Sequence, residues 1–302
     1  FMNIKNVVLS VFCLLMTSVS VFAQLNVLNA KTPEEIGVKT EDQLAYDNDS
    51  SPLSYGYIDD RDILWSKTIW EIIDLNERVN FPLYYPIDTN NIGLDRRSLY
   101  DVLIKNIKNK TIEDIYGDSY FREKRTLNQI EASLVYSDTT DKGKKQINAG
   151  EVLDPQYIRK FTVNAADIEE WRIRGTWYLD KRSGDLKYRL LGLAPVANEA
   201  RSQAFPDAAS DTKVELFWIW FPSARNVLHK AKAFNRKNTS RPISYDHLLN
   251  SRRFNALIYK EDNALGDRAI NDYINDNALM QLMESDRIKE SIRNIEIDMW
   301  NY

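Results

Sequence analysis

The chain has 302 residues, with 40 Lys and Arg against 44 Asp and Glu and a formal net charge of −4. That mild acidity removes any general attraction to nucleic acid or to an anionic membrane surface. One cysteine, Cys13, rules out an internal disulfide framework and a thiolate metal cage, while 7 Trp, 16 Tyr and 11 Phe beside only 10 Gly and 9 Pro describe a packed globular chain.

Lys5 precedes an apolar run from Val7 to Met16, and smaller residues lead to Val21-Phe22-Ala23. This pattern predicts a secretory signal peptide over 1–23, cleaved after Ala23. The apolar run is about half of the roughly 20 residues that a membrane-spanning helix needs, so an anchor is the weaker reading. Cys13 lies inside the run behind Val11 and Phe12, which does not suit lipid attachment. The expected product is an exported, cysteine-free chain. Residues 24–60 read as a polar, partly disordered arm, with a turn signal at Asp47-Asn48-Asp49-Ser50-Ser51-Pro52. Residues 61–302 read as a single α+β domain, helical over 61–125, sheet-rich over 130–221 and helical over 223–302. The expected fold therefore has helices at both ends flanking a mainly antiparallel central sheet.

Asp62 to Glu77 reads as a helix, because Trp65, Ile69, Ile72 and Ile73 fall at i, i+4, i+7 and i+8. Ile63 and Trp70 widen its apolar arc to about half the circumference, more than one core face requires. Phe81-Pro82-Leu83-Tyr84-Tyr85-Pro86 reads as extended. Asp95 can cap a helix over Arg96 to Asn109, with Leu99, Val102, Leu103 and Ile107 inward. Ile130 to Tyr136 and Ile158 to Val163 read as strands. The clearest hairpin runs from Ile168 to Leu193: Trp171, Ile173, Gly175, Trp177 and Leu179 alternate with polar neighbours, and Lys181-Arg182-Ser183-Gly184 makes the turn. Leu216 to Phe221 is apolar throughout and reads as a strand covered on both faces. Ser223 can cap a helix that turns Val227, Leu228, Ala231 and Phe234 inward. From Gly266 the chain reads as helical. Ile270, Ile274, Leu279, Leu282 and Met283 share one segment, and Ile288, Ile292 and Ile295 follow a cap near Ser285.

Chemical motifs are scarce. His229 and His247 belong to no H-x-x-x-H or H-E-x-x-H pattern, so a zinc site lacks its usual ligands. No G-x-S-x-G, G-x-x-x-x-G-K-[ST] or G-x-G-x-x-G sequence is present. Paired carboxylates at Asp59, Asp60 and Asp62 and at Glu169 and Glu170 leave open a glycan hydrolase or a glycan-binding protein as an alternative function. The first cluster also reads as an acidic helix start. The second pair, on a strand, should point to opposite faces. Arg225, Lys230, Lys232, Arg236, Lys237 and Arg241 form a basic stretch that reads as a solvated face or a polar interface. No cofactor or metal is expected.

The C-terminal third contains Arg241-Pro242-Ile243-Ser244-Tyr245-Asp246-His247-Leu248-Leu249-Asn250, Arg252-Arg253-Phe254, Ile258-Tyr259-Lys260-Glu261, Gly266-Asp267-Arg268 and Glu284-Ser285-Asp286-Arg287-Ile288-Lys289, closing on Asp298-Met299-Trp300. With Trp70-Glu71-Ile72-Ile73-Asp74-Leu75-Asn76-Glu77, Pro82-Leu83-Tyr84-Tyr85-Pro86 and Arg97-Ser98-Leu99, it resembles the GldN/PorN family, the N component of the type IX secretion and gliding-motility apparatus of Bacteroidetes. The resemblance implies a non-catalytic periplasmic ring subunit. It also implies a K-type lipoprotein partner, a link to the M-type and L-type inner-membrane motor proteins, and neighbouring copies in a large assembly. Trp65, Trp70, Tyr84, Tyr85, Arg225 and Lys232 are the candidate partner contacts, since aromatic and Arg side chains commonly anchor interfaces.

Overall fold

The computed structural model describes residues 50–88, 96–150, 154–198, 213–235, 237, 242–275 and 277–300, with positions 32, 41, 44 and 45 before them. The expected signal peptide, most of the expected arm, the Asp95 cap, Arg236 and Arg241 lie outside the described residues. The chain divides into two compact units, 1–51 and Pro52–Tyr302, and the second holds the fold.

Its strands are β1 (Ile63–Asp74), β2 (Ile115–Tyr116), β3 (Val135–Thr139), β4 (Ile158–Thr162), β5 (Ile168–Asp180), β6 (Asp185–Asn198), β7 (Lys213–Glu215), β8 (Trp218–Trp220), β9 (Lys232–Ala233), β10 (Ile243–Ser244) and β11 (Leu257–Glu261). Its helices are α1 (Phe81–Tyr84), α2 (Leu99–Lys108), α3 (Leu127–Leu134), α4 (Asp141–Asn148), α5 (Phe221–Lys230), α6 (Tyr245–Asn250), α7 (Ile270–Tyr273) and α8 (Ala278–Trp300). Seven strands form the central sheet in the order β11-β1-β5-β6-β8-β2, with β7 beside β6; β3-β4 and β9-β10 are separate ribbons. Every pairing between these named strands is antiparallel. The architecture is α+β, as expected.

The largest departure from the expected elements is β1, a 12-residue strand where the apolar period predicts a helix. β1 lies between β5 and β11, with one side chain row facing each side of the sheet. Ile69 and Ile73 bury on one side and Trp70 on the other. A strand covered on both faces loses its alternation, and its apolar run then imitates a wide helical arc. The β-branched and aromatic residues Ile63, Trp65, Thr68, Ile69, Trp70, Ile72 and Ile73 favour the strand.

Four shorter corrections have local causes. Phe81-Pro82-Leu83-Tyr84 forms a single helical turn with Pro82 near its start, where a missing N–H costs nothing. Ile130 to Leu134 is the end of α3, and only Val135 onward is strand. Thr126 and Gln129 form a capping box that starts this helix. Helix α5 begins at Phe221, ahead of Ser223, and ends at Lys230, so Phe234 lies beyond it, exposed, with Arg96 over its ring at 4.6 Å. Ser285 is not a cap, because α8 runs unbroken through it. Asn277 starts that helix, its side chain accepting from the Met280 N–H at 3.0 Å.

The remaining elements follow the pattern. Helix α2 buries Leu99, Val102, Leu103 and Ile107, and Ser98 caps it by accepting from the Asp101 N–H at 3.2 Å. The β5–β6 hairpin closes on Lys181-Arg182-Ser183-Gly184, where Gly184 takes the positive φ of +69° that the turn requires. The main core lies between one face of the sheet (Ile73, Trp171, Ile173, Leu193, Ile219) and helices α2, α3, α5 and α6. A second cluster of Ile69, Ile258, Ile270, Ile288 and Ile292 lies beneath α7 and α8. On the opposite face Trp70, Ala194 and Trp218 pack under Tyr116, Tyr120, Phe121 and Tyr259.

Candidate partner-binding surface

The sequence segments that carry the resemblance meet in space. Glu71 on β1, 1% exposed, accepts two hydrogen bonds from Arg252, at 2.7 and 2.8 Å, and one from the Tyr188 hydroxyl at 3.3 Å. Arg252 stacks over the Tyr188 ring at 4.2 Å. Burial and then the Glu71 carboxylate push the Tyr188 phenol well above its ordinary pKa. Burial works against the Arg252 guanidinium, and the Glu71 hydrogen bonds, the Glu71 charge and Tyr188 together more than offset it, so its pKa is raised. Gly175 lies beneath this arrangement because a Cβ there would overlap the Tyr188 ring. Nearby, the Tyr245 hydroxyl donates to the carbonyls of Arg97 and Pro82, at 2.7 and 3.3 Å, joining three further segments.

The candidate contacts separate into buried and accessible groups. Trp70 is inside the fold, with Arg174 and Lys260 over its ring at 4.9 and 4.4 Å. Burial lowers the pKa of both cations. Arg225 is also buried: its guanidinium pairs with Asp246 at 2.8 Å, donates to the Leu53 carbonyl at 2.7 Å and covers the Tyr55 ring at 4.0 Å. It therefore holds residues 53–55 against the body. Trp65 is half-buried beside the Ile69 cluster. Tyr84 donates to the Ala166 carbonyl, Tyr85 is exposed, and Lys232 is half-buried in β9.

The candidate chemistry is taken up by local pairing. Asp59 starts a short 3-10 turn and pairs with Arg61, while Asp62 pairs with Arg182. Glu169 and Glu170 do not diverge: a register shift between Ile168 and Glu170 places both beside Lys213. His247 is exposed in α6. Asp262 and Asp267 share a hydrogen bond beside Tyr120; burial raises Asp262, while the Tyr120 hydroxyl holds Asp267 low. Among the described residues, no group of three or more His, Cys, Asp and Glu could hold a metal ion, and no helix is long and apolar enough to cross a membrane.

What the fold leaves open is the first half of α8. Its inner face buries Ser285, Ile288 and Ile292, and the Ser285 hydroxyl accepts from the Ile258 N–H of β11 at 3.0 Å. Leu279, Met280, Leu282 and Met283 point outward, 45–67% exposed. Apolar spacing predicts one amphipathic segment holding Ile270, Ile274, Leu279, Leu282 and Met283. The break between α7 and α8 resets the helical phase and turns the last three to the surface. Four large apolar side chains in five residues at one helix end form the kind of patch that marks a protein contact.

A family described as "Gliding motility associated protein GldN" matches residues 58–301. The chain belongs to the GldN family. That match spans the strand carrying Glu71, the loop carrying Arg252 and the open face of α8. No curated protein matches the chain. The GldN chain is thus a gliding-motility-associated protein with an α+β fold.

Proposed function

We propose that this GldN-family chain is a non-catalytic ring or scaffold subunit of the type IX protein secretion and gliding-motility machinery. The observation that carries the reading is the family match over residues 58–301. The signal-like segment at 1–23 supports export, and the family resemblance supports a periplasmic chain tethered through a lipoprotein. Its partners are then a K-type lipoprotein of the same ring, the M-type component with its L-type neighbour, and further ring subunits. A repeated head-to-tail contact closes such a ring. The outward face of α8, with Leu279 and Met283 at its centre, is the best-supported contact, and Tyr85 and Trp65 remain accessible to a second one. No nucleic acid, cofactor or metal enters the reading.

Deleting the gene tests it. Export of a cargo protein bearing a C-terminal sorting domain should fail, and the cargo should accumulate inside the outer membrane. Normal export in the deletion strain would sink the proposal.

A further inference from the structure

Residues 53–57 belong to no helix or strand, and the body holds them through one side chain and the backbone. Tyr55 is half-buried, while Leu53 and Tyr57 are 86% and 82% exposed. Two guanidinium groups lie over the Tyr55 ring, Arg225 at 4.0 Å and Arg189 at 4.6 Å, and its hydroxyl donates to Asn250 Oδ1 at 2.8 Å. Three carbonyls of the segment accept from arginines. Arg225 donates to Leu53 at 2.7 Å, Arg189 to Gly56 at 3.3 Å and Arg182 to Tyr57 at 2.9 Å.

Most of this site is organised by the body itself. Asp246, buried on α6, accepts from Arg225 Nε at 2.8 Å and from Asn250 Nδ2 at 2.9 Å. Asn250 Nδ2 donates to the Asp246 carbonyl as well, at 2.9 Å. With its amide nitrogen committed to Asp246, Asn250 presents its oxygen to a phenol. Asp62 and Asp180 fix Arg182 in the same way, at 3.2 and 3.5 Å. The other contacts go to carbonyls, which every residue carries, so side-chain identity enters at Tyr55. An aromatic ring suits the guanidinium faces, and a hydroxyl suits the Asn250 oxygen. An aliphatic side chain would answer neither.

We infer that this site binds a tyrosine-centred polypeptide segment. Residues 53–57 fill it within the chain, and a tyrosine segment of a partner protein takes it when they leave. The resident segment is then a tethered competitor, present at an effective concentration on the order of millimolar. The site uses no residue of α8, and the inference does not depend on the chain's place in an assembly.

Saturation-transfer NMR of the purified chain titrated with acetyl-Pro-Leu-Ser-Tyr-Gly-Tyr-amide tests it. Tyr55→Ala removes the resident ring, and that chain should bind the peptide more tightly than the wild type by about tenfold or more. Tyr55→Phe loses only the hydrogen bond to Asn250. It should fall between the two, and it reports even if Tyr55→Ala fails to fold. Phe in place of the peptide's first tyrosine should weaken binding about two- to tenfold, the loss of one neutral hydrogen bond. Ala at that position should abolish binding, and so should Arg189→Glu added to the Tyr55→Ala chain. No binding to either Tyr55 variant, equal binding to the wild type and both variants, or binding unchanged by Ala in the peptide or by Arg189→Glu would overturn the inference.

Discussion

Replacing Glu71 by Ala should destabilise the body by about 3–5 kcal/mol, the cost of leaving one member of a buried ion pair without its partner. Glu71 is 1% exposed and receives three hydrogen bonds, two from Arg252 and one from Tyr188. Its loss strands the Arg252 guanidinium over the Tyr188 ring. It also removes what holds Arg252 at φ +51°, a left-handed conformation that costs a non-glycine residue about 1–3 kcal/mol. A second change, Arg252→Gly, removes the stranded charge and suits that φ, so the double variant should recover part of the loss. Urea unfolding of the three proteins is the measurement. A Glu71→Ala loss below about 1 kcal/mol would mean that the pair adds little beyond a surface ion pair.

Trp218→Ala should cost about 3–5 kcal/mol as well, on the opposite side of the sheet. Trp218 is fully buried between Trp70, Ala194 and the Phe121 ring. Its indole N–H donates to Glu215 at 2.6 Å, and Glu215 also pairs with Arg172. Truncation therefore opens a cavity and loosens an ion pair together. Trp218→Phe keeps most of the volume and loses only the hydrogen bond, so it should fall by about 1–3 kcal/mol. Equal losses in the two variants would assign the whole effect to the indole N–H.

Which elements could be read from the residues depends on what covers them. In β5 the row opposite the core is polar, with Arg172, Arg174 and Thr176, and the outer side of α2 is polar too, so their periods survive in Trp171, Ile173, Leu179 and in Leu99, Leu103, Ile107. Strand β1 is covered on both faces, and its alternation is lost. The outward turn of Leu279 and Met283 depends on where Asn277 restarts the helix, which no count of apolar spacing reveals. Two of the contact candidates lie inside the fold for a related reason. Trp70 and Arg225 have the chemistry of interface anchors, and the same chemistry makes them internal staples here. The Glu71–Arg252 pair spans 181 positions of chain and has no local signal.

We propose that this chain works as an assembly subunit through the open face of α8. The direct measurement is the native size of the chain in solubilised envelopes, for the wild type and for the double variant Leu279→Glu, Met283→Glu. Both positions are exposed, so the variant should unfold at the wild-type temperature. The wild-type chain should run in a large complex and the variant near its own mass. A stable variant that stays in the large complex at the wild-type level would contradict the account.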